Sequence, residues 1–425
     1  MFLIIFFKYW LFIEFLNWIL HLFIYINIFE SKILKYKNSD TEKVISIINK
    51  LSKEELEYVI GGCIIYDKIR YNYIDISKLD IKCLTKKEII NLIGYSIFGL
   101  DIKYIYYNKK YPIILKLLKK IEEKLGYEFK SINIDRYLYR SWGNNFIKFS
   151  FRPLILQLPL RMLMLYVHIL FTVLLGFKWE RYNKIGFLSK EIDNNKKNLI
   201  FIHGLGFGYL PYYQTLIELD KKYNLIIVVL PNISSYNYYY DIKYAYFPPL
   251  IEISNTFYKF LEVKGIKETI LISHSFGTYI TQILRKDIRS KVLIKIILVD
   301  PIIFWIGCFK MSLHIENPFI KKYPFSSYLF DNLLSFLIYQ CLYLKYVCFR
   351  VMFGPDFLIY DADELVNTNI TIVLQKGDFI IPVEIIYEKI KDKLKYYYLN
   401  SDDMCHGTIL RDTKYINELI NIIES

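Results

Sequence analysis

The sequence lacks the cysteine spacing of a disulfide framework or of a metal centre. Its six cysteines stand at positions 63, 83, 308, 341, 348 and 405, and no two of them form a CxxC pair. A chain of 425 residues can build a sufficient core without disulfides, and zinc sites group Cys and His residues at close spacing. We therefore expect no metal and no cofactor, and the sequence gives no sign that an oxidising compartment is required.

The chain also lacks the segments with which proteins usually bind nucleic acid. Its formal charge is +13, but the lysines are spread along the whole chain, and we find no arginine-rich stripe, RNP-like segment or zinc finger. A bias towards Ile, Lys, Asn and Tyr is the simplest explanation for this charge. An anionic membrane surface is the electrostatic partner that we expect, rather than nucleic acid, and the oligomeric state stays open.

Long apolar segments are what the sequence has instead. The composition is 54% hydrophobic and 18% aromatic, with a mean hydropathy of +0.24, which is high for a soluble enzyme. The apolar run at 1–29 exceeds the roughly 20 residues that cross a bilayer, although Lys8, Glu14 and His21 interrupt it. We expect residues 1–30 to be a membrane anchor, and a buried amphipathic helix is the alternative. No basic stretch precedes the run and no small-residue cleavage site follows it, so a signal peptide is not expected.

A second apolar segment, PLILQLPLRMLMLYVHILFTVLLGF at 153–177, lies within residues 151–180. It could cross a bilayer, or it could lie in the membrane interface with Arg161 reaching the headgroups. Residues 31–150, between the two segments, are predicted to be helical and carry no recognisable chemistry. The expected location is a membrane, with the endoplasmic reticulum or another intracellular membrane as candidates.

From residue 181 to 425 the pattern alternates between short apolar runs and amphipathic stretches. This alternation is typical of an α/β domain with a mostly parallel central sheet and helices on both faces. Between 301 and 365 the strand pattern stops, which predicts a helical cap insertion. Strands are predicted at 198–202, 225–230, 269–273, 293–299, 370–375 and 395–400, and helices at 209–220, 250–264, 276–286 and 413–424.

Ser275, in ILISHSFGTY at 270–279, is the candidate nucleophile. A serine on a tight strand-to-helix turn needs small residues two positions before and two positions after it, because strand and helix pass close there. Those positions hold Ser273 and Gly277, so the GxSxG pattern is broken only at its first glycine. A serine that merely caps a helix is the alternative.

The HGLGFG segment at 203–208 follows a predicted strand and precedes a predicted helix. Its glycines would let backbone N–H groups approach a negative oxygen. The expected oxyanion donors are the N–H of Phe276 and that of Leu205 or its neighbour Gly206. A dinucleotide-binding loop is disfavoured, because the third glycine of GxGxxG is replaced by Tyr209 and no acidic residue ends the next strand.

The candidate base is His406, found by elimination among six histidines. His21 and His168 lie in apolar segments, His314 lies in the insertion, His203 belongs to the glycine loop, and His274 should point away from the serine hydroxyl. The acid that orients the base should end a strand between Ser275 and His406. Asp378 is the first choice and Asp300 is the alternative.

These landmarks resemble the α/β-hydrolase superfamily over about 195–425. HGLG, SHSFGT, VDP, the GD of QKGD and the late HG fall in its order Ser, acid, His. With RPLI at 152–155 and the apolar N-terminal region, the chain is similar to fungal and protist membrane-associated members. The resemblance implies the α/β-hydrolase fold, a triad of Ser275, Asp378 and His406, and an oxyanion hole at Leu205 and Phe276.

The function that we expect is a membrane-associated serine hydrolase, esterase- or lipase-like, acting on a lipid or other apolar ester. An acyltransferase with the same triad and an inactive hydrolase-fold scaffold or lipid-binding protein are the alternatives. Aromatic residues of the insertion would line an acyl site or simply pack the cap. They are Phe304, Trp305, Phe309, Phe319, Tyr323, Phe325 and Phe330.

Overall fold

The structure is a computed structural model of the whole chain. It describes residues 2–30, 40–62, 64–67, 72–73, 80–94, 102–132, 137–139, 151, 153–230, 233–234, 248–304, 344, 362–378 and 380–425.

The helices and strands of the described residues follow the chain in this order. The helices are α1 (Phe2–Glu30), α2 (Asp40–Lys50), α3 (Lys53–Gly62), α4 (Lys86–Leu92), α5 (Tyr111–Leu125), α6 (Leu154–Ile169), α7 (Tyr213–Lys222), α8 (Leu250–Val263), α9 (Phe276–Arg285), α10 (Val383–Ile390), α11 (Thr408–Arg411) and α12 (Ile416–Glu424). The strands are β1 (Ile64–Asp67), β2 (Asn72–Tyr73), β3 (Tyr137–Tyr139), β4 (Lys178–Tyr182), β5 (Ile185–Ser189), β6 (Asn198–Ile202), β7 (Asn224–Val229), β8 (Thr269–His274), β9 (Leu293–Val299), β10 (Ile370–Gln375) and β11 (Lys395–Leu399).

An eight-stranded sheet forms the centre of the fold, in the order β4-β5-β7-β6-β8-β9-β10-β11. β5 runs antiparallel to β4 and β7, and all other neighbours are parallel. Every residue of β7, β8 and β10 is buried, as expected for apolar strands with helices on both faces. One core contains residues of α8, α9 and α10, and the other contains residues of α6, α7, α11 and α12. The predicted α/β class and mostly parallel sheet are confirmed.

The first strands of this sheet were not predicted. β4 and β5 form a hairpin that begins at Lys178, ahead of the boundary at residue 181. The region 31–150 also contains more than the predicted helices, because β2-β1-β3 form a small antiparallel sheet.

The N-terminal region packs against the central domain. Buried residues of α2, α3 and α5 belong to the same core as residues of α10. The contact includes a salt bridge in which Lys389 Nζ lies 2.7 Å from Glu55 Oε1, with both side chains largely buried.

Two apolar helices lie at the start of the chain and before β4. Within the described ranges, one helical window, Gln157–Leu174, is long and apolar enough to cross a membrane, with 22% of its residues buried. It includes α6 and the π-helical turn Leu170–Leu174 that follows it. α1 touches the beginning of α6, where Glu14 Oε1 accepts the Leu154 N–H at 2.7 Å.

Most of the predicted cap lies outside the described residues. The structure describes 301–304, 344 and 362–365 of this insertion, and Phe304 is buried. Trp305, Phe309, Phe319, Tyr323, Phe325 and Phe330 lie outside the described residues, so the acyl-site hypothesis stays a prediction.

Candidate active site

Ser275 lies on a sharp turn between β8 and α9. The strand ends at His274 and the helix begins at Phe276, so Ser275 alone forms the connection. Its backbone has φ 51° and ψ −118°, a conformation that residues other than glycine rarely adopt. Its hydroxyl makes no capping bond to α9. The helix therefore does not use this side chain, and the strained turn matches a nucleophile elbow.

The residues on either side of the turn are constrained by close packing. A Cβ at Gly277 would lie 2.5 Å from the carbonyl oxygen of Ile202, so glycine is needed for α9 to approach β6. Ser273 is fully buried, and its hydroxyl has no partner among the described residues. Serine fits where a glycine was expected, but it leaves an unsatisfied hydroxyl.

The HGLGFG loop leaves the end of β6, next to the elbow. β7 lies on one side of β6 and β8 on the other, so the loops after β6 and β8 diverge and leave a crevice at the carboxyl edge. The His203 ring fixes the start of this loop. Its Nδ1 donates to Gly204 O at 2.7 Å and its Nε2 accepts the Leu230 N–H at 3.1 Å. Burial lowers the pKa of His203 to about 4, so the ring is neutral and structural.

Three backbone N–H groups near the turn are candidate oxyanion donors. That of Gly206 donates to Ile233 O at 2.8 Å and is therefore occupied. That of Leu205 makes no hydrogen bond within the described part of the chain. Phe276 is the first residue of α9, and N–H groups at a helix N-terminus favour negative charge. Leu205 and Phe276 are thus the better pair of candidates.

His406 is hydrogen-bonded to the first-choice acid. Its Nδ1 lies 2.6 Å from Asp378 Oδ2. The other carboxylate oxygen, Oδ1, accepts the N–H groups of Ile380 at 2.6 Å and Ile381 at 3.2 Å. Burial by itself would lower the pKa of His406, but the charge of Asp378 and this hydrogen bond outweigh it, so the pKa of His406 lies above its ordinary value.

Ser275 and His406, the candidate nucleophile and base, lie at the same edge of the sheet without a direct hydrogen bond. His406 Nε2 is buried and has no partner among the described residues, Ser275 included. The residues next to the pair are in contact, because a Cβ at Gly407 would lie 2.6 Å from His274 Nε2. The His274 and His406 ring centroids are 4.7 Å apart. The ring of His406 therefore lies close to the turn that carries Ser275.

Asp300, the alternative acid, takes a different position. It directly follows β9, is fully buried, and its Oδ2 lies 3.9 Å from His406 Nδ1, beyond hydrogen-bond distance. Burial, and then the charge of Asp378, raise the pKa of Asp300 above its ordinary value. Asp378, and not Asp300, contacts the imidazole.

Asp300 instead forms a clamp with Gln375 on the backbone that follows His406. Asp300 Oδ2 accepts the Gly407 N–H at 2.6 Å and a hydrogen bond from the Gln375 side-chain amide. Gln375 Oε1 accepts the Ile409 N–H at 2.9 Å. Gln375 was not predicted from the sequence, although a polar residue at the end of the apolar strand ITIVLQ was a usable signal.

His274 is held by a residue that the sequence did not single out. Its Nδ1 lies 2.8 Å from the Tyr212 hydroxyl, not from Ser275. Burial and then the neighbouring His406 keep the pKa of His274 well below its ordinary value, so the ring is neutral. Tyr212 lies 62 positions away in the sequence, and no local pattern indicates the contact.

One cluster of described residues has potential metal ligands close together. His274, Asp300 and His406 place ligand atoms within 4.8 Å of one another. However, Tyr212 and Asp378 engage the Nδ1 atoms of the two histidines, and Asp300 Oδ2 already accepts two N–H groups. The cluster is a hydrogen-bonded network, and we assign no metal to it. Cys405, which precedes His406, is half-buried and carries a thiol.

Three features together define an α/β-hydrolase fold: the order of strands in the sheet, the strained turn after β8, and the position of His406 after β11. β8 is the fifth strand of this sheet along the chain, and β11 is the last. The predicted superfamily fold is thereby confirmed. No protein-family model and no curated protein matches the chain.

Solved structures with a similar fold include esterases and a phospholipase. A membrane phospholipase A described as a bacterial virulence factor is 12% identical, with a TM-score of 0.45 over 64% of this chain and 93% of that chain. A naproxen esterase from Bacillus subtilis is 13% identical, with a TM-score of 0.42 over 62% and 98%. An esterase from Rhodococcus sp. ECU1013 is 14% identical, with a TM-score of 0.42 over 59% and 99%. These structural similarities and sequence identities are too low to support a substrate, and the fold assignment rests on the sheet of this chain.

Proposed function

We propose that the chain is a membrane-associated serine hydrolase that cleaves a lipid or other apolar ester, with Ser275 as nucleophile, His406 as general base and Asp378 as the residue that orients it. The observation that carries this proposal is the 2.6 Å contact of His406 Nδ1 with Asp378 Oδ2. This contact fixes the proton on Nδ1 and leaves Nε2 as an acceptor near the strained turn of Ser275.

In the proposed reaction, Ser275 Oγ attacks the ester carbonyl carbon while His406 Nε2 takes the hydroxyl proton. The negative charge on the carbonyl oxygen is stabilised by the N–H groups of Leu205 and Phe276. His406 then gives its proton to the departing alcohol, which leaves an acyl group on Ser275. Water attacks this acyl-enzyme with His406 again as base, so acid is released and the serine is restored.

Membrane association is supported by the apolar window Gln157–Leu174, and an apolar ester is the substrate class that a lipid surface would present. Transfer of the acyl group to an alcohol needs the same residues. Product analysis with a competing alcohol separates hydrolysis from transfer.

The nucleophile is tested with a fluorophosphonate probe on the folded, full-length chain. We expect labelling of the wild type and loss of labelling in Ser275→Ala. Ser290→Ala is the matched control, since Ser290 precedes β9 at the opposite edge of the sheet. Failure of the folded wild type to label, or equal labelling of Ser275→Ala, would disprove the proposed nucleophile.

A further inference from the structure

α6 and the turn that continues it have two sides in opposite environments. Buried residues lie on one side, at Gln157, Met164, Val167 and Phe171. On the other side, large apolar residues recur every three or four positions and are 39–70% exposed. They are Ile155, Leu158, Met162, Tyr166, Ile169 and Val173, and we call them the outer face of α6.

The buried side packs along the hydrolase domain. Met164, Val167 and Phe171 belong to the core on that side of the sheet. The Phe171 ring lies 5.5 Å from that of Tyr209, and His168 Nδ1 lies 2.9 Å from the Tyr209 hydroxyl. These contacts hold α6 sideways against the domain over at least about 10 Å.

This lateral packing is incompatible with a helix that crosses the bilayer by itself. A crossing helix is surrounded by lipid or by other membrane segments over about 30 Å. If α6 crossed, the polar edge of the hydrolase domain would have to enter the hydrocarbon, where unpaired backbone groups are not tolerated. Contact of α6 with a bilayer is therefore restricted to its exposed residues, which are the outer face and the flanking Leu163, Leu165 and Leu174.

The outer face is contiguous, unlike the other exposed apolar side chains of the described hydrolase domain. Ile251 and Val263 are exposed at opposite ends of α8, and Ile288 is exposed on the turn before β9, so the three side chains form no common patch. Single exposed apolar residues are ordinary, whereas a continuous apolar patch marks a contact surface for a protein or a membrane.

The neighbouring helix α1 indicates that the outer face of α6 contacts lipid. It buries Asn17 and His21, and its Glu14 accepts the Leu154 N–H at the start of α6. Its large apolar side chains point outward. They include Phe7, Leu11, Phe12, Phe15, Ile19 and Phe23, with exposures of 42–60%. Buried polar residues and exposed apolar residues are expected of a helix in lipid. The exposed Lys8 lies in the N-terminal third of α1, from where a long side chain reaches the headgroups. This helix adjoins α6.

We propose that the outer face of α6 is a docking surface for a lipid bilayer, with α6 lying along the bilayer surface and α1 embedded beside it. Apolar faces of interfacial helices insert to about the depth of the headgroup and acyl boundary. Arg161, on the flank between the two sides of α6, is positioned to reach lipid phosphates.

The same helix supports the loop that contributes to the candidate oxyanion site. Tyr209, which α6 contacts through His168 and Phe171, directly follows the HGLGFG segment. One turn later, the Tyr212 hydroxyl contacts His274, the neighbour of Ser275. If the proposed function holds, docking of α6 places the mouth of the active site at the membrane surface.

Photolabelling of the full-length chain in phosphatidylcholine vesicles tests the surface without requiring activity. One phospholipid carries a diazirine close to the glycerol, and a second carries it at the end of the acyl chain. We expect the shallow probe to label the outer face from Ile155 to Val173 and to leave Met164 and Phe171 unlabelled. We expect the deep probe to label α6 severalfold less than it labels α1.

Three results would overturn the proposal. Deep labelling around all sides of α6 would mean that it crosses the bilayer. Labelling of α1 without α6 would mean that the outer face is covered by something other than lipid. A disulfide that forms on oxidation between two copies of a Met162→Cys variant would identify a second copy as the occupant.

A pair of variants separates docking from catalysis. Met162→Glu places a charge on the outer face and should reduce shallow labelling of α6 severalfold. Ile288→Glu, at an 88% exposed position on the turn before β9, should leave it unchanged. Equal changes in the shallow labelling of α6 in the two variants would contradict the proposal. Normal labelling without turnover of any ester would disprove the proposed hydrolase and leave the docking surface intact.

Discussion

At the residue scale, His406 lies between two carboxyl groups that contact different parts of it. Asp378 contacts the imidazole at 2.6 Å, whereas Asp300 stays 3.9 Å from the same nitrogen and accepts the backbone N–H of Gly407. In the proposed reaction the first carboxylate orients the ring, and the second positions the loop that carries it. The two acids are therefore expected to respond differently to the same kind of substitution.

Asp378→Asn tests the orienting role. The amide removes the charge that favours protonated His406, so we expect kcat to fall by about 10⁴-fold, as for a base held in the wrong tautomer. The charge of Asp378 raises the pKa of His406, so its loss should lower that pKa and move the acidic limb of the kcat/KM profile to lower pH.

Asp402→Asn is the matched control, because Asp402 lies on the loop before His406 and its side chain is 86% exposed. Its activity and pH profile should match those of the wild type. An acidic limb that does not move in Asp378→Asn would show that Asp378 does not set the protonation of the base.

Asp300→Asn and Asp300→Ala test the clamp. Asparagine keeps an oxygen that can accept the Gly407 N–H, so we expect kcat within about tenfold of wild type. Alanine leaves that N–H and the Gln375 amide buried without an acceptor, at about 1–3 kcal/mol for each group. Both the thermal unfolding temperature and kcat should therefore fall in the alanine variant. Equal loss of kcat in both variants, with unchanged unfolding, would instead indicate that the Asp300 charge acts in the reaction.

At the scale of elements, the central strands were predictable from their apolar runs. NLIFI and ITIVLQ are buried on both faces, and such strands give a strong signal in the sequence. The β4–β5 hairpin was missed, because KWERY is a half-exposed edge strand of mixed polarity that directly follows an apolar helix. The β2-β1-β3 sheet was missed because its strands span only two to four residues each.

The part of the candidate site that lies directly after strands could be predicted from the sequence. Ser275, Asp378 and His406 follow parallel strands, and the carboxyl ends of such strands meet at one edge. The contacts of Tyr212 with His274 and of Asp300 with Gly407 join residues 62 and 107 positions apart. No local pattern encodes such pairs, so they could only be read from the folded chain.

Two substitutions, one on each side of the elbow, test its packing. Gly277→Ala would place a Cβ 2.5 Å from a backbone oxygen, so we expect a loss of about 1–3 kcal/mol in the free energy of unfolding. Ser273→Ala removes a buried hydroxyl that has no partner in the described structure, so stability should stay level or rise by up to about 1 kcal/mol. Thermal or denaturant unfolding in detergent measures both, and a destabilised Ser273→Ala would mean that the hydroxyl is needed.

At the scale of the whole molecule, the N-terminal region is part of the same folded body as the hydrolase domain. Side chains of α2, α3 and α5 share a core with α10, and the Glu55–Lys389 salt bridge joins the two parts. The N-terminal region is therefore expected to add to the stability of the hydrolase domain.

Lys389→Ala tests that coupling. Because the pair is mostly buried, we expect a loss of about 1–3 kcal/mol, which is more than a surface pair contributes. The exposed pair Lys391–Glu388 on the same helix end is the control, and Lys391→Ala should change stability by less than about 0.5 kcal/mol. Exchanging the charges, Glu55→Lys with Lys389→Glu, should restore part of the loss. Indistinguishable effects of the two alanine variants would show that the two parts are not energetically coupled through this contact.

The position of Cys405 affects how inhibitors of this molecule must be interpreted. Its half-buried thiol belongs to the residue that directly precedes His406, so alkylation there is expected to shift the loop that carries the imidazole. In the proposed reaction no sulfur takes part, yet iodoacetamide would lower turnover, and the protein would be mistaken for a cysteine-dependent enzyme. Cys405→Ser would separate the two cases, because it should keep activity while becoming resistant to the reagent.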